Sequence, residues 1–152
     1  MQKPDCIFCK IASGEMDSAK FWEDERFMAF LDINPNTKGM ALVISKDHFD
    51  SYALDMPEEM YGDFFLAAKR VGKIMQNGLQ VKRVALVMEG MGVNHAHIKL
   101  YPLYGLANEF AEVWAQEKVF FNKYEGFITT QLGPVADMTE LKALARQIEE
   151  SI

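Results

Sequence analysis

The chain has 152 residues, 49% hydrophobic and 25% charged, the length and mix of one soluble globular domain with a sizeable core. A net charge of -6 with scattered basic residues argues against a polynucleotide partner, so an anionic ligand must be held by a local site. The longest apolar runs, such as MALVI at 40–44, are too short to span a bilayer, and the opening MQKPDCIFCK has no apolar signal region, which makes a cytoplasmic location the expectation.

In chain order, Cys6 and Cys9 come first and are the only cysteines. In a reducing compartment Cys-x-x-Cys reads as half a metal site or a redox pair before a structural disulfide. Apolar alternation predicts strands near 20–23 and 27–33 around the turn WEDER, and a third near 40–45 after NPNTKG. The segment from Asp55 to Gly78 predicts a long helix, with Asp55 as cap, Glu58 three residues on and Asn77-Gly78 at the end. Met60, Phe64, Ala67, Ala68, Val71, Ile74 and Met75 give it an apolar stripe that should pack on the sheet. Strands near 82–89 and 95–101 follow, separated by EGMGVN, and Pro102 is expected to stop the last ladder. The tail from about 106 predicts a short helix at 108–118, a strand at 126–132 and a final helix begun by Asp137 with Glu140 three residues on. Its aromatics Trp114, Phe120, Phe121, Tyr124 and Phe127 read as packing residues. Antiparallel strands with helices on one face make an α+β domain: a five-stranded antiparallel sheet, a long helix packed on it and a C-terminal helical extension.

The strand at 95–101 carries the chemistry. Alternation places Ala96, Ile98 and Leu100 on one face and His95, His97 and Lys99 on the other. That second face reads either as the wet side of a sheet or as a site. Gly90 and Gly92 just before it allow backbone N–H groups to approach an anion. A neutral imidazole can attack phosphorus and leave again near pH 7, and a neighbouring ammonium both neutralises phosphate oxygens and disfavours imidazole protonation.

The heptad HAHIKLY, followed by proline, resembles the His-x-His-x-His-x-x signature of the histidine triad (HIT) superfamily, and CIFCKIASGE, WEDERFMAFLDINPNTKGMALVISKDHF and the long helix resemble its nucleotide-binding branch in order. The resemblance covers residues 5 to about 103 and implies a single HIT-like domain over 1–152, with an extension from about 106. It implies that His97 is the nucleophile at the α-phosphorus of a nucleotide, that Asp32 accepts hydrogen bonds from ribose hydroxyls, that Ile7, Phe8, Ile11, Phe30 and Ile33 surround the base and that Gly92 contacts phosphate, with Gly90 in the same loop. Asp32 also reads as a turn former before Asn-Pro, and the apolar residues as core. The implied function is a nucleotide hydrolase or nucleotidyltransferase acting on a purine nucleoside phosphoramidate or dinucleoside polyphosphate. The alternative is a purine-nucleotide sensor without turnover. A symmetric homodimer is implied as well.

Some bacterial HIT proteins bind zinc through an N-terminal Cys-x-x-Cys, a histidine after the third strand and the first triad histidine. The matching residues are Cys6, Cys9, His48 and His95, a Cys2His2 set that leaves His97 free for attack and makes structural Zn2+ the expected cofactor. Reduced, unligated cysteines with His48 on the surface remain the other reading. Two departures stand out. Lys99 replaces the third histidine, and Met88 sits where an amide side chain often touches phosphate. In the tail, Thr129 and Thr130 are candidate leaving-group contacts.

Overall fold

The computed structural model describes residues 2–113, 115–129, 134–141 and 144. It divides into two compact units, Met1–Leu106 and Ala107–Ile152.

The first unit holds all five expected strands in one antiparallel sheet: β1 Lys20–Glu23, β2 Phe27–Leu31, β3 Ala41–Ser45, β4 Arg83–Val87 and β5 His97–Leu103, in the spatial order β1-β2-β3-β5-β4. The second strand stops two residues earlier than expected because Asp32 turns the chain: its Oδ1 accepts the Asn34 N–H at 2.8 Å. The last strand begins at His97, not 95, since the His95 N–H bonds to the Val93 carbonyl and the Ala96 N–H to that of Phe49. Pro102 does not stop this strand. It lies past the last β3–β5 pair, Ala41 with Leu100, so its missing donor costs no bond on that side, and it pairs with Val84 on the other.

The long helix, α2, runs Glu58–Leu79. Asp55 does not cap it but lies in a 3-10 turn, Ala53–Asp55, while Pro57 stands at the N-cap and supplies no side-chain hydrogen bond. Glu58 and Glu59 in the first turn meet the positive end of the helix dipole. Gly78 falls inside the helix. Gln80 takes the left-handed conformation that ends it (φ 55°), which turns Val81 back into the core. The buried stripe is Met60, Phe64, Ala67, Ala68, Val71, Gly72 and Met75; Ile74 falls outside it and is exposed. This stripe packs on Phe27, Ala29, Ala41, Val43, Ala96, Ile98 and Leu100, with the Phe27 and Phe64 rings stacked at 5.3 Å. The aliphatic face of β5 is therefore the centre of the main core.

In the second unit, helix among the described residues is confined to 138–141 and 144. Asp137 starts it as expected, its Oδ1 accepting the N–H groups of Thr139 at 2.8 Å and Glu140 at 3.1 Å. The helix expected over 108–118 does not form among the described residues there, whose Phe110 and Val113 are exposed: a helical pattern without a packing partner is not stable on propensity alone. Residues 126–129 form no strand, and Phe120, Phe121, Tyr124 and Phe127 are exposed, although Phe121 and Phe127 meet edge to face at 5.6 Å. Trp114, Thr130 and residues 131 and 132 lie outside the described residues.

Candidate functional site

The face of β5 opposite the main core is covered at its start, where His97 lies, and only half-buried at Lys99 and Tyr101. A short helix absent from the sequence-based expectation, α1 (Ile7–Ser13), lays Phe8 and Ile11 over Met28, Phe30, Leu42 and Ile44 to form a second apolar cluster. Gly14 in the left-handed conformation ends it (φ 79°). His95 and His97 are buried beneath this cover, with Phe8 edge-on to both rings at 5.7 and 5.5 Å.

His97 is 3% exposed, and its Nδ1 lies 2.7 Å from the His95 carbonyl oxygen. A carbonyl only accepts, so Nδ1 carries the proton and Nε2 keeps its lone pair. Burial lowers the imidazole pKa from its ordinary value, and the Lys99 charge adds to this against the opposing pull of the His95 hydrogen bond, Glu89 and Asp32. The ring borders a cavity of about 490 Å³. Around it stand Lys99, Asp32, Gly92, Ile7, Phe8, Ile11, Phe30 and Ile33, so the fold collects all but one of the residues expected to surround the nucleotide. Ile7 is exposed and Ile33 is 88% exposed, which makes them rim, not core. Met16, Asp17, Ser18 and Met91 also stand in the wall without any local sequence signal for it.

Gly90 is the exception. It lies outside the cavity wall and is pressed against the 51 carbonyl: a Cβ there would sit 2.7 Å from the Ser51 oxygen, and φ is +75°. Its role is to let the loop pass. Met88 packs on the main core instead of facing the cavity. Lys99 pairs with Glu89 at 3.2 Å, the two side chains 24% and 10% exposed. This partner lies two residues past the end of β4, where Val87 sits beside Lys99, and no spacing in the sequence announces it.

Cys6, Cys9, His48 and His95 form a separate cluster whose ligand atoms all lie within 4.8 Å of one another. The Cys6 sulfur is 3.3 Å from His95 Nδ1, and the Cys9 sulfur is 3.4 Å from His48 Nδ1 and 3.6 Å from His95 Nδ1. A tetrahedral zinc with bonds of about 2.3 Å to sulfur and 2.0–2.1 Å to nitrogen has S···N edges of about 3.5 Å, so the spacing fits. The far nitrogens agree. His95 Nε2 donates to the Ser45 carbonyl at 2.8 Å and His48 Nε2 faces the Asp50 carboxylate at 3.2 Å, which leaves both Nδ1 lone pairs for the centre. The Lys3 N–H donates to the Cys9 sulfur at 3.3 Å. Burial pushes the Cys9 thiol up and holds His95 down at about 4, a neutral imidazole ready to ligate.

With this geometry in view, the comparisons with known proteins decide the lineage. The HIT domain matches residues 13–105, well over half of the chain. The chain belongs to the HIT domain family. Protein hit of Bacillus subtilis (strain 168) is 36% identical over 115 residues, which cover 72% of this chain and 79% of that protein. Adenosine 5'-monophosphoramidase HNT1 of Saccharomyces cerevisiae is 35% identical over 122 residues, covering 78% and 75%. A crystal structure of a HIT family member from Bacillus subtilis matches with a TM-score of 0.67 at 28% identity, covering 97% of each chain. The HIT assignment and the five-stranded α+β fold agree with one another, and among the described residues no helix is long and apolar enough to cross a membrane.

Proposed function

We propose that this HIT protein is a nucleotide hydrolase or nucleotidyltransferase that acts at the α-phosphate of a purine nucleotide conjugate through a covalent nucleotidyl-His97 intermediate. The observation that carries the reading is the 2.7 Å contact of His97 Nδ1 with the His95 carbonyl, which leaves the other nitrogen unprotonated at the wall of a nucleotide-sized cavity. Relatives named adenosine 5'-monophosphoramidase support the reaction class.

In the proposed reaction the base lies between Phe8, Ile11 and Phe30 and the ribose hydroxyls donate to Asp32, whose Oδ1 is already engaged with Asn34 N–H. The α-phosphate rests by Gly92 and Lys99. His97 Nε2 attacks phosphorus, the bond to the leaving group breaks with its electron pair, and water or another acceptor then attacks the phosphorus and frees the imidazole. Lys99 neutralises the charge that gathers on the phosphate oxygens, and Glu89 fixes its direction.

The Cys2His2 cluster is the proposed seat of a structural zinc, whose bonds would fasten α1 and Phe8 over the catalytic strand. Thiolate ligation suits a reducing, cytoplasmic compartment. We take the second unit as an extension of one HIT domain, and β4, one of the two sheet edges and the one with Leu86 exposed, as the seam of a homodimer.

The test is incubation with an adenosine phosphoramidate and with a dinucleoside polyphosphate, quenched without acid and read by mass spectrometry. A nucleotidyl adduct on His97 is expected, absent in His97→Gln. The ammonium in place of the third histidine favours one competing reading, a nucleotide sensor, which requires binding with neither adduct nor product.

A further inference from the structure

The turn before β5 is mounted on the metal cluster. Residues 48–51 leave β3 from the ligand His48 and meet residues 90–96 at three points. The Ala96 N–H bonds to the Phe49 carbonyl at 2.8 Å, and the Ser51 N–H donates to Asn94 Oδ1 at 2.9 Å. The Ser51 hydroxyl lies 2.7 Å from the Gly90 carbonyl and 3.1 Å from Asn94 Oδ1, one proton serving the pair. The amide of Asn94 is oriented from both sides: with Oδ1 facing these donors, its Nδ2 donates to Asp50 Oδ1 at 3.1 Å. That same carboxylate oxygen takes His48 Nε2 at 3.2 Å and the Lys3 ammonium at 3.0 Å.

Gly90 closes the arrangement from the other side. With φ at +75° and the Ser51 carbonyl where a Cβ would lie, only glycine lets the turn settle on this segment. The turn from Gly90 to Asn94 therefore has its start held by Ser51 and its end continued directly into the ligand His95. Between these anchors lies Gly92, in the wall of the cavity that His97 also lines. A metal that fixes His48 and His95 fixes both anchors.

We propose that Asn94 is a positioning residue: with Asp50 and Ser51 it forms a clasp through which occupancy of the Cys2His2 cluster sets the conformation of the phosphate turn. The metal then does more than fasten the N-terminal helix. It presets backbone N–H groups for an anion, and the clasp is the route by which it does so. The inference rests on the nucleotide reading only in assigning phosphate to the turn.

Two measurements on the zinc-loaded protein test it. The first is amide hydrogen exchange, with no nucleotide present. Asn94→Ala is expected to speed exchange of residues 90–93 at least fivefold while zinc stays at one per chain. A chelator should speed the same amides in the unaltered protein and add less than twofold in the variant. The second is binding of adenosine monophosphate with and without chelator. Metal removal should weaken it at least fivefold more in the unaltered protein than in Asn94→Ala, and in turnover the variant's loss should fall on KM more than on kcat. Asn94→Asp, which keeps an oxygen for Ser51 but sets a second carboxylate against Asp50, should behave like Asn94→Ala. Equal effects of the chelator on both proteins in the exchange experiment overturn the clasp. If the exchange pattern appears but adenosine monophosphate binds neither form, the clasp stands and the assignment of phosphate to the turn, with the function it rests on, is overturned.

Discussion

Replacing Phe8 by alanine tests whether α1 is part of the site or an ornament on it. Phe8 is 8% exposed and touches Phe30, His95 and His97 edge to face at 5.9, 5.7 and 5.5 Å. Truncating a buried phenylalanine costs about 3–5 kcal/mol, and such ring pairs add about 0.5–1.5 kcal/mol each beyond area. Here the loss belongs near the lower end, about 3 kcal/mol, because the side chain borders the cavity and the space it vacates opens to water. With a urea m-value of about 1.5 kcal/mol/M, the midpoint should fall by about 2 M without a change in slope. The assay is urea unfolding of the metal-loaded protein followed by circular dichroism, with Phe8→Leu in parallel. Leucine keeps apolar volume but loses the ring edges, so about 1–1.5 kcal/mol is expected from it. A midpoint shift below about 0.5 M for alanine, or equal shifts for both variants, refutes the claim that this ring seals the imidazole face.

Three further outcomes follow from the same geometry. His97 has its pKa lowered by burial and by Lys99, so its neutral form persists on the acid side of the ordinary imidazole value: kcat/KM should stay level as pH falls past about 6.5 and drop only below it, Lys99→Met should move that limb to higher pH and Glu89→Gln to lower pH. Zinc titrated into metal-free protein at pH 7 should release at least one proton, from the Cys9 thiol raised by burial, and none from His95, already neutral with its pKa at about 4; calorimetry in buffers of different ionisation enthalpy counts them. Lys99→Met should lower kcat/KM at least tenfold and also lower the melting temperature by removing a partner of the largely buried Glu89, whereas the double variant Lys99→Met with Glu89→Gln should recover the melting temperature but not the activity.

What could be read from the sequence was what is periodic. The strands and the α2 stripe announce themselves because alternation and helical spacing are local, and the split of residues 95–100 into Ala96, Ile98, Leu100 against His95, His97, Lys99 is visible in six letters. The Cys6, Cys9, His48, His95 grouping came through resemblance, and the structure brings those four together. The α1 helix was not legible: it has seven residues, no side-chain cap and no acidic residue in its first turn, and its apolar side chains gain meaning only from the sheet beneath them. Glu89 beside Lys99, and Asp50 beside Asn94, join residues brought together by the sheet and its loops, which no local pattern encodes. In the tail the converse held. A helical pattern around Phe110 and Val113 was plain in the letters, yet those side chains find no buried face and no helix forms among the described residues there.

β5 lies inside the sheet, bonded to β3 on one side and β4 on the other, with Ile98 and Leu100 fully buried against α2. Sliding it by a single residue would carry the His97 ring into the aliphatic core and both aliphatics to the cavity face, a fault the core cannot tolerate. The aliphatic residues thus act as a gauge block for the proposed nucleophile: the energy that folds the sheet also sets the position of the His97 ring, and that accuracy costs the protein no separate device.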